Sequence, residues 1–377
     1  MNAIDLFSGA GGLSIALEES GFRILMANEI NSRFAETHRY NFPNVPLIEK
    51  DINDISTNDL TSVLGNNEVD LIVGGPPCQG FSVFGKRRFI NTQEYDPHQD
   101  PRNFLVYQYI RLVKEIRPKF FFMENVKGFT NLDKGLFVEE VKKQFQELGY
   151  NDIWCEIICA ADYGVPQERY RMFMIGNRIG VKFEKPEPTH FPIGSGKYPE
   201  YTTVGDAIMD LVGKENEIPN HIPLEHKPLV AERYGYVKEG CKLNVDDLPP
   251  HLAVATRKDS KTGKVSNYSH VYKRLDRNKP STTMVPGHNA FPIHPTLNRT
   301  LTAREAARIQ TFPDDWEFVG SINEQYKQIG NAVPVNLAYA VGRPLIRLFN
   351  DIQTIKPEQT PNYKDAIRFY KNELALQ

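Results

Sequence analysis

Short apolar runs alternate with amphipathic segments through the first half of the chain. The apolar runs predict β-strands over residues 3–7, 23–28, 69–74 and 120–124. Between them, apolar residues recur at helical spacing over residues 13–19, 104–115 and 136–148. This alternation is typical of a parallel sheet with helices on its faces. We therefore predict a doubly wound α/β fold.

The pattern changes after Arg178. Few long periodic segments occur until about Leu301, and four prolines interrupt the chain early in this stretch, at Pro186, Pro188, Pro192 and Pro199. Helices are again predicted over residues 303–309 and 336–350, and Tyr363, Ile367, Tyr370 and Leu374 share one face of a short C-terminal packing helix. We therefore predict a loop-rich domain over residues 186–298 within a larger domain formed by residues 1–185 and 299–377.

Composition narrows the class of protein. The 377 residues are 40% hydrophobic, which can fill a substantial core. No stretch approaches the roughly 18 apolar residues of a membrane span, and the N-terminus lacks a signal-peptide pattern. The four cysteines show no paired two-residue spacing, which indicates neither a disulfide framework nor a zinc site. A cytosolic protein without a structural metal is expected.

The charge pattern is more informative locally than overall. A formal net charge of −2 does not indicate a nucleic-acid binder. Residues 257–279, however, contain eight basic and two acidic side chains, a local net charge of +6. This stretch is a candidate phosphate-binding surface, and a solvated loop face is the alternative.

A glycine-rich turn follows the first predicted strand over residues 5–12. Its glycines do not have the spacing of the dinucleotide-binding fingerprint, so a plain tight turn is one interpretation. Glu29 ends the second predicted strand about 20 residues later, where an acidic side chain can accept from ribose hydroxyls. Asp51 is placed to contact an adenine amino group. Together the three features indicate an adenosine-containing cofactor.

Cys78 is the candidate nucleophile. It follows two prolines after the strand predicted at residues 69–74, at the sheet edge where ligands bind. A free cysteine is usually an inert, buried hydrophobe. Here glycines precede it, Gln79 and Ser82 follow it, and residues 80–100 suit a closing active-site loop better than a core.

Three charged residues are candidates to assist Cys78. Glu124 ends the next predicted strand, and burial beside Cys78 would raise the pKa of its carboxyl and make it a proton donor. A helix-capping carboxylate is the alternative. Arg169 and Arg171 alternate in sequence, so one strand face could present both guanidinium groups to a single site.

These runs, in this order, resemble the DNA cytosine-5 methyltransferases over nearly the whole chain, from Asp5 to about Ala340. The matching motifs are the glycine turn, residues 28–30, Asp51-Ile52, Pro76-Pro77-Cys78-Gln79, Glu124-Asn125-Val126, residues 167–171, residues 304–308 and residues 330–334. The resemblance implies a Rossmann-like, S-adenosylmethionine-dependent methyltransferase sheet with a smaller, loop-rich target-recognition domain.

The resemblance also implies a cofactor site and a mechanism. S-adenosylmethionine is expected near Phe7, Gly9, Gly11, Glu29, Ile30, Asp51, Ile52, Pro77 and Leu105, with Asn331 and Val333 closing over it. Cys78 would add to carbon 6 of a flipped-out cytosine and so make carbon 5 reactive enough to accept a methyl group. Glu124 would protonate or hydrogen-bond ring nitrogen 3, and Arg169 would steady the base oxygen, with Arg171 beside it.

By the same resemblance, residues 186–298 read the DNA sequence, and residues 273–283 face the DNA. Arg274 and Arg277 could pair with guanine edges, and Thr282 and Thr283 could meet phosphates or a thymine methyl group. Ser82, Lys86, Arg87 and Arg88 are candidates to touch the DNA backbone or fill the space of the flipped base. For the last three, a solvated basic turn is the alternative.

Three other functions are alternatives to DNA methylation. A transfer-RNA cytosine methyltransferase would share mainly the catalytic half, and the recognition region of more than 100 residues favours DNA. A nucleotide-dependent oxidoreductase would leave Cys78, Glu124 and Asn331 unexplained. A non-catalytic DNA-binding module would not need the filled catalytic positions. We expect a compact bacterial or phage enzyme, monomeric, cytoplasmic and nucleoid-associated, acting on double-stranded DNA beside a cognate restriction endonuclease.

Overall fold

The computed structural model describes residues 1–77, 105–253, 272–284 and 291–354, with side chains as far as Asn350. Several predictions concern residues outside these ranges. They are the nucleophile Cys78, the loop at residues 80–100 with Ser82, Lys86, Arg87 and Arg88, the basic residues 257–264 and the C-terminal packing helix.

A seven-stranded sheet forms the centre of the fold. Its strands are β1 (Asn2–Leu6), β2 (Arg23–Asn28), β3 (Leu47–Ile48), β4 (Leu71–Gly74), β5 (Phe120–Val126), β6 (Asp152–Cys159) and β8 (Tyr170–Asn177). They lie in the order β3-β2-β1-β4-β5-β8-β6. The strand order reverses between β1 and β4, which is the point where α/β sheets bind ligands.

Strand direction departs from the prediction at one edge of the sheet. The first five strands pair in parallel, as the doubly wound prediction requires. β8 instead runs antiparallel to both β5 and β6. A two-stranded ladder joins β7 (Gln167–Glu168) to β9 (Ser281–Thr282), and it ties the loop-rich region to the strand that leads into β8.

Helices cover both faces of the sheet. They are α1 (Gly12–Glu19), α2 (Ser32–Asn41), α3 (Thr57–Leu64), α4 (Leu105–Ile116), α5 (Leu136–Glu147), α6 (Val204–Ile208), α7 (Pro228–Gly235), α8 (Ala303–Ile309), α9 (Ile322–Asn331) and α10 (Val335–Thr354). The first residues of β5 are all apolar because both faces of this strand are buried. Phe120 and Phe122 pack into the core on one face, and Phe121 and Met123 pack into the core on the other.

The C-terminal part of the chain returns to its beginning. α10 packs against α1, where a Cβ added at Gly342 would lie 3.4 Å from Leu17. The loop-rich region has a small core of its own around Tyr234, Tyr272 and Ile293. Within the described ranges, no helix is long and apolar enough to cross a membrane.

Candidate active site

The turn after β1 is joined to the end of β2 by one carboxylate. Glu29 accepts from Gly9 N at 2.9 Å and from Asn31 N at 2.7 Å. Burial raises the pKa of Glu29, and these hydrogen bonds partly offset the rise. Phe7 and Gly9 have positive φ angles of 57° and 56°, and a Cβ added at Gly9 would meet no described atom within 4 Å. The turn therefore leaves room for a ligand beside its backbone.

The C-terminal segment closes tightly on this turn. A Cβ at Gly12 would lie 2.6 Å from the carbonyl oxygen of Val333, and one at Gly11 would lie 3.0 Å from the ring of Trp316. Only glycine permits this approach at either position. Val333 is thus held at the predicted cofactor turn, and Asn331 ends α9 exposed to solvent.

The other predicted cofactor residues have varied environments. The apolar side chain of Ile30 is 62% exposed, directly after Glu29. Asp51 caps a short 3-10 helix by accepting from Asn53 N at 2.9 Å. Ile52 is buried in the core, and its carbonyl oxygen accepts from Arg111 Nη2 at 2.8 Å. Pro77 and Leu105, the first residue of α4, are half-buried.

A buried ion pair stands at the carboxyl end of β5. Arg171 Nε lies 2.8 Å from Glu124 Oε1. A Cβ at Gly75 would be 3.0 Å from Glu124 Oε2, so this glycine lets the chain pass close to the carboxylate. Burial raises the pKa of Glu124, and the charges of Arg171 and Arg169 oppose that rise. The buried Glu124 carboxyl therefore lies beside Gly75, which is three residues before Cys78 in the sequence.

Asn125 fixes the chain that leads to the candidate nucleophile. Its Nδ2 donates to Pro76 O at 3.0 Å, and its Oδ1 accepts from Val126 N at 2.9 Å. Because it is buried, this amide holds the backbone two residues before Cys78. The sequence identifies Asn125 only as part of a motif and does not indicate its hydrogen bond to Pro76.

Arg169 is buried, and its hydrogen bonds to described residues go to the main chain. Its guanidinium group is 1% exposed and donates to the carbonyl oxygens of Met284, Gly330 and Ala332 at 3.0–3.2 Å. Nη1 and Nη2 thus bond to the main chain, whereas the buried Nε has no hydrogen-bond partner among the described residues. The role of Arg169 at the base oxygen stays a prediction. The arginine paired with Glu124 is Arg171.

Comparison with known proteins assigns the chain to a family. A family model described as C-5 cytosine-specific DNA methylase matches residues 1–347. The chain belongs to this family. The methylase therefore transfers the methyl group of S-adenosylmethionine to carbon 5 of cytosine in DNA, which sets aside the oxidoreductase alternative.

Curated relatives cover nearly all of the methylase. The Type II methyltransferase M1.HphI of Haemophilus parahaemolyticus is 38% identical over 351 residues, which span 92% of this chain and 86% of the relative. M.PspPI of Psychrobacter sp. is 39% identical over 360 residues, which span 92% and 79% respectively. A solved E. coli structure, described as a prophage-encoded DNA modification methyltransferase, has a TM-score of 0.70 at 27% identity and covers 93% of this chain and 99% of its own.

Two of the residues predicted to contact DNA are engaged within the methylase itself. Arg274 is 4% exposed and donates to four carbonyl oxygens and to Asn298 Oδ1, all at 2.6–2.8 Å. The expectation that it reads a guanine edge is corrected, because a side chain so enclosed cannot reach a groove. Arg277 forms a bidentate salt bridge with Glu239, in which Nε and Nη2 each donate to one carboxylate oxygen at 2.9 Å.

The two predicted threonines remain on the surface. Thr282 lies in β9 and accepts from Lys273 Nζ at 3.2 Å, and Thr283 donates to Glu168 O at 2.9 Å. Both residues are exposed, and Thr282 pairs with Glu168 of β7, the residue directly before Arg169. Their contact with DNA stays a prediction.

Arg274→Ala is expected to destabilise the methylase. The change leaves several buried carbonyl oxygens without a donor, so the free energy of unfolding should fall by about 3 kcal/mol, as measured by urea denaturation. Arg277→Ala is the matched control in the same segment, and its exposed ion pair should matter much less. Equal losses in the two variants would contradict the structural role of Arg274.

Proposed function

We propose that this methylase modifies cytosine within a specific double-stranded DNA sequence through a covalent adduct of Cys78 with a flipped-out base. The observation that carries the proposal is the buried Glu124–Arg171 pair, packed against Gly75 at the carboxyl edge of the sheet. A stacked base could not reach such an enclosed pair, and flipping would cost a few kcal/mol.

The proposed reaction begins with the thiolate of Cys78, which adds to carbon 6 of the cytosine. Glu124 donates a hydrogen bond or a proton to ring nitrogen 3, and Arg171 donates to the base oxygen, so the charge that develops on the ring is neutralised. Carbon 5 then carries enough electron density to accept a methyl group. A base then takes the carbon 5 proton, and the Cys78 thiolate departs. Glu124 takes back any proton that it gave to ring nitrogen 3, so the ring and the enzyme are restored.

The proposed cofactor site lies at the strand-order reversal. Its residues are Phe7, Gly9, Gly11, Glu29, Ile30, Asp51, Ile52, Pro77, Leu105, Asn331 and Val333. Three observations fit this group: the open space beside Gly9, the exposed apolar side chain of Ile30 for a purine ring, and the Glu29 carboxylate for ribose hydroxyls. When bound, S-adenosylmethionine supplies an electrophilic methyl group.

The similarity of the methylase to Type II methyltransferases supports a proposal about its partners. We propose a cognate restriction endonuclease that cleaves the same DNA sequence when it is unmodified. We also propose that the methylase is a monomer and acts at the bacterial nucleoid. Within the enzyme, Thr282, Thr283 and Ser82 remain the proposed DNA contacts. Arg277 could join them only by leaving Glu239.

Bisulfite sequencing tests the proposed function directly. DNA without prior methylation is incubated with the protein and S-adenosylmethionine, and protected cytosines are mapped. One recurring sequence with one protected cytosine is expected. Protected cytosines scattered over unrelated sequences would contradict specific recognition, and protection of transfer RNA in place of DNA would favour the alternative substrate.

A further inference from the structure

Two side chains at the junction of β7 and β8 hold a segment that returns from the recognition region. Met284 N donates to Gln167 Oε1 at 3.3 Å, and Arg169 Nη1 donates to Met284 O at 3.2 Å. The main-chain N–H and C=O groups of Met284 are thus both hydrogen-bonded to buried side chains. Because β8 begins directly after Arg169 and contains Arg171, the position of Met284 is tied to the active site.

The other nitrogen of the same guanidinium group reaches the cofactor side. Arg169 Nη2 donates to Gly330 O at 3.1 Å and to Ala332 O at 3.0 Å, the two carbonyls on either side of Asn331. Carbonyls at the end of a helix lack partners within the helix, and here α9 ends at Asn331. Gln310 Nε2 donates to the preceding carbonyl, Ile329 O, at 2.9 Å. The end of α9 is therefore capped by side chains distant in sequence.

The chemistry of arginine explains why one residue can serve both segments. Among the described residues, no carboxylate hydrogen-bonds to Arg169. Backbone carbonyls, the negative end of the α9 dipole and the nearby charge of Glu124 stabilise its guanidinium group. A planar guanidinium group donates in several fixed directions at once, which a lysine ammonium group cannot reproduce. If either segment moved away, buried N–H groups would lose their acceptors.

We propose that Arg169 is a positioning residue that couples DNA binding to cofactor binding, by holding Met284 of the recognition region and the turn around Asn331 together. This inference rests on the proposed function, which assigns Asn331 and Val333 to the cofactor. Ordering one segment places Arg169 for the other, so each ligand should strengthen the binding of the other by the same factor.

The test measures this coupling without turnover. Fluorescence anisotropy gives the Kd of a short duplex carrying the site found by bisulfite sequencing, with and without S-adenosylhomocysteine. In the unmodified enzyme we expect the compound to tighten DNA binding about tenfold. In Arg169→Lys the gain should shrink to within about twofold. Thermal denaturation followed by circular dichroism verifies that each variant is folded.

Arg178→Lys is the matched control. Arg178 also donates to backbone carbonyls, those of Arg117 and Pro118, but from the opposite end of β8. In Arg178→Lys, S-adenosylhomocysteine should tighten DNA binding as much as in the unmodified enzyme. If Arg169→Lys does not fold, Gln167→Met removes the bond to Met284 N alone and should still reduce the gain at least about threefold.

Three outcomes would overturn the inference. The first is that S-adenosylhomocysteine does not change the Kd of the unmodified enzyme for DNA. The second is that the compound tightens DNA binding by Arg169→Lys or Gln167→Met as much as by the unmodified enzyme. The third is a large fall in kcat in Arg169→Lys with the gain intact, which would return Arg169 to the base. Failure of the proposed function is distinct, because the unmodified enzyme would then protect no recurring cytosine.

Discussion

Cys78→Ser is expected to lower the rate of methyl transfer by at least about 10³-fold. A hydroxyl group is a far weaker nucleophile than a thiolate at neutral pH, and without addition at carbon 6 the ring cannot accept the methyl group. Binding of S-adenosylmethionine should change little, since the turn and the Glu29 carboxylate that form its proposed site are untouched. Transfer of labelled methyl groups and calorimetric titration of the cofactor measure the two effects.

A matched control separates loss of the nucleophile from loss of a thiol. Cys241 is an exposed free cysteine in the loop-rich region, and Cys241→Ser should transfer methyl groups at the unmodified rate. DNA with 5-fluorocytosine at the target base provides a second readout, because fluorine cannot leave as the proton does and the adduct persists. Trapping by Cys78→Ser as strong as by the unmodified enzyme would refute covalent catalysis at this residue.

The sequence predicted the sheet well where strands are buried on both faces. The apolar runs of β1, β2, β4 and β5 are long enough to reveal the strands, and each predicted helix between them is present. β6 was not predicted, because its exposed Asp152 and Glu156 interrupt the apolar pattern. The antiparallel direction of β8 was also hidden, since direction depends on the connection and not on the strand's own residues.

The arginines show why the site was harder to predict than the fold. Alternation placed Arg169 and Arg171 on one strand face, but the strand is interrupted at Arg169, between β7 and β8. Arg274 lies in a basic stretch, yet its acceptors are main-chain carbonyls 20–40 residues away. Main-chain acceptors leave no mark in a sequence, so an arginine that reads DNA and one that supports a loop look alike.

Glu124→Gln is expected to reduce kcat by about 10²- to 10⁴-fold, the contribution usual for general acid catalysis. The amide can still donate a hydrogen bond to ring nitrogen 3, but it cannot transfer a proton, and it loses the charge that pairs with Arg171. Glu156→Gln is the matched control. Glu124 and Glu156 both lie opposite Phe173, on either side of β8, but Glu156 is exposed and pairs with Lys185 at the surface.

The pH dependence of kcat distinguishes a proton donor from a fixed charge. Burial raises the pKa of Glu124, so its carboxyl holds its proton to a higher pH than a solvated glutamate does. As a donor it is active below that pKa, and kcat should fall as pH rises through it. Glu124→Gln should lack this decline because glutamine does not titrate. If kcat instead rose through the same pH range in the unmodified enzyme but not in Glu124→Gln, the ionised form paired with Arg171 would be the active one, and Glu124 would act by its charge alone.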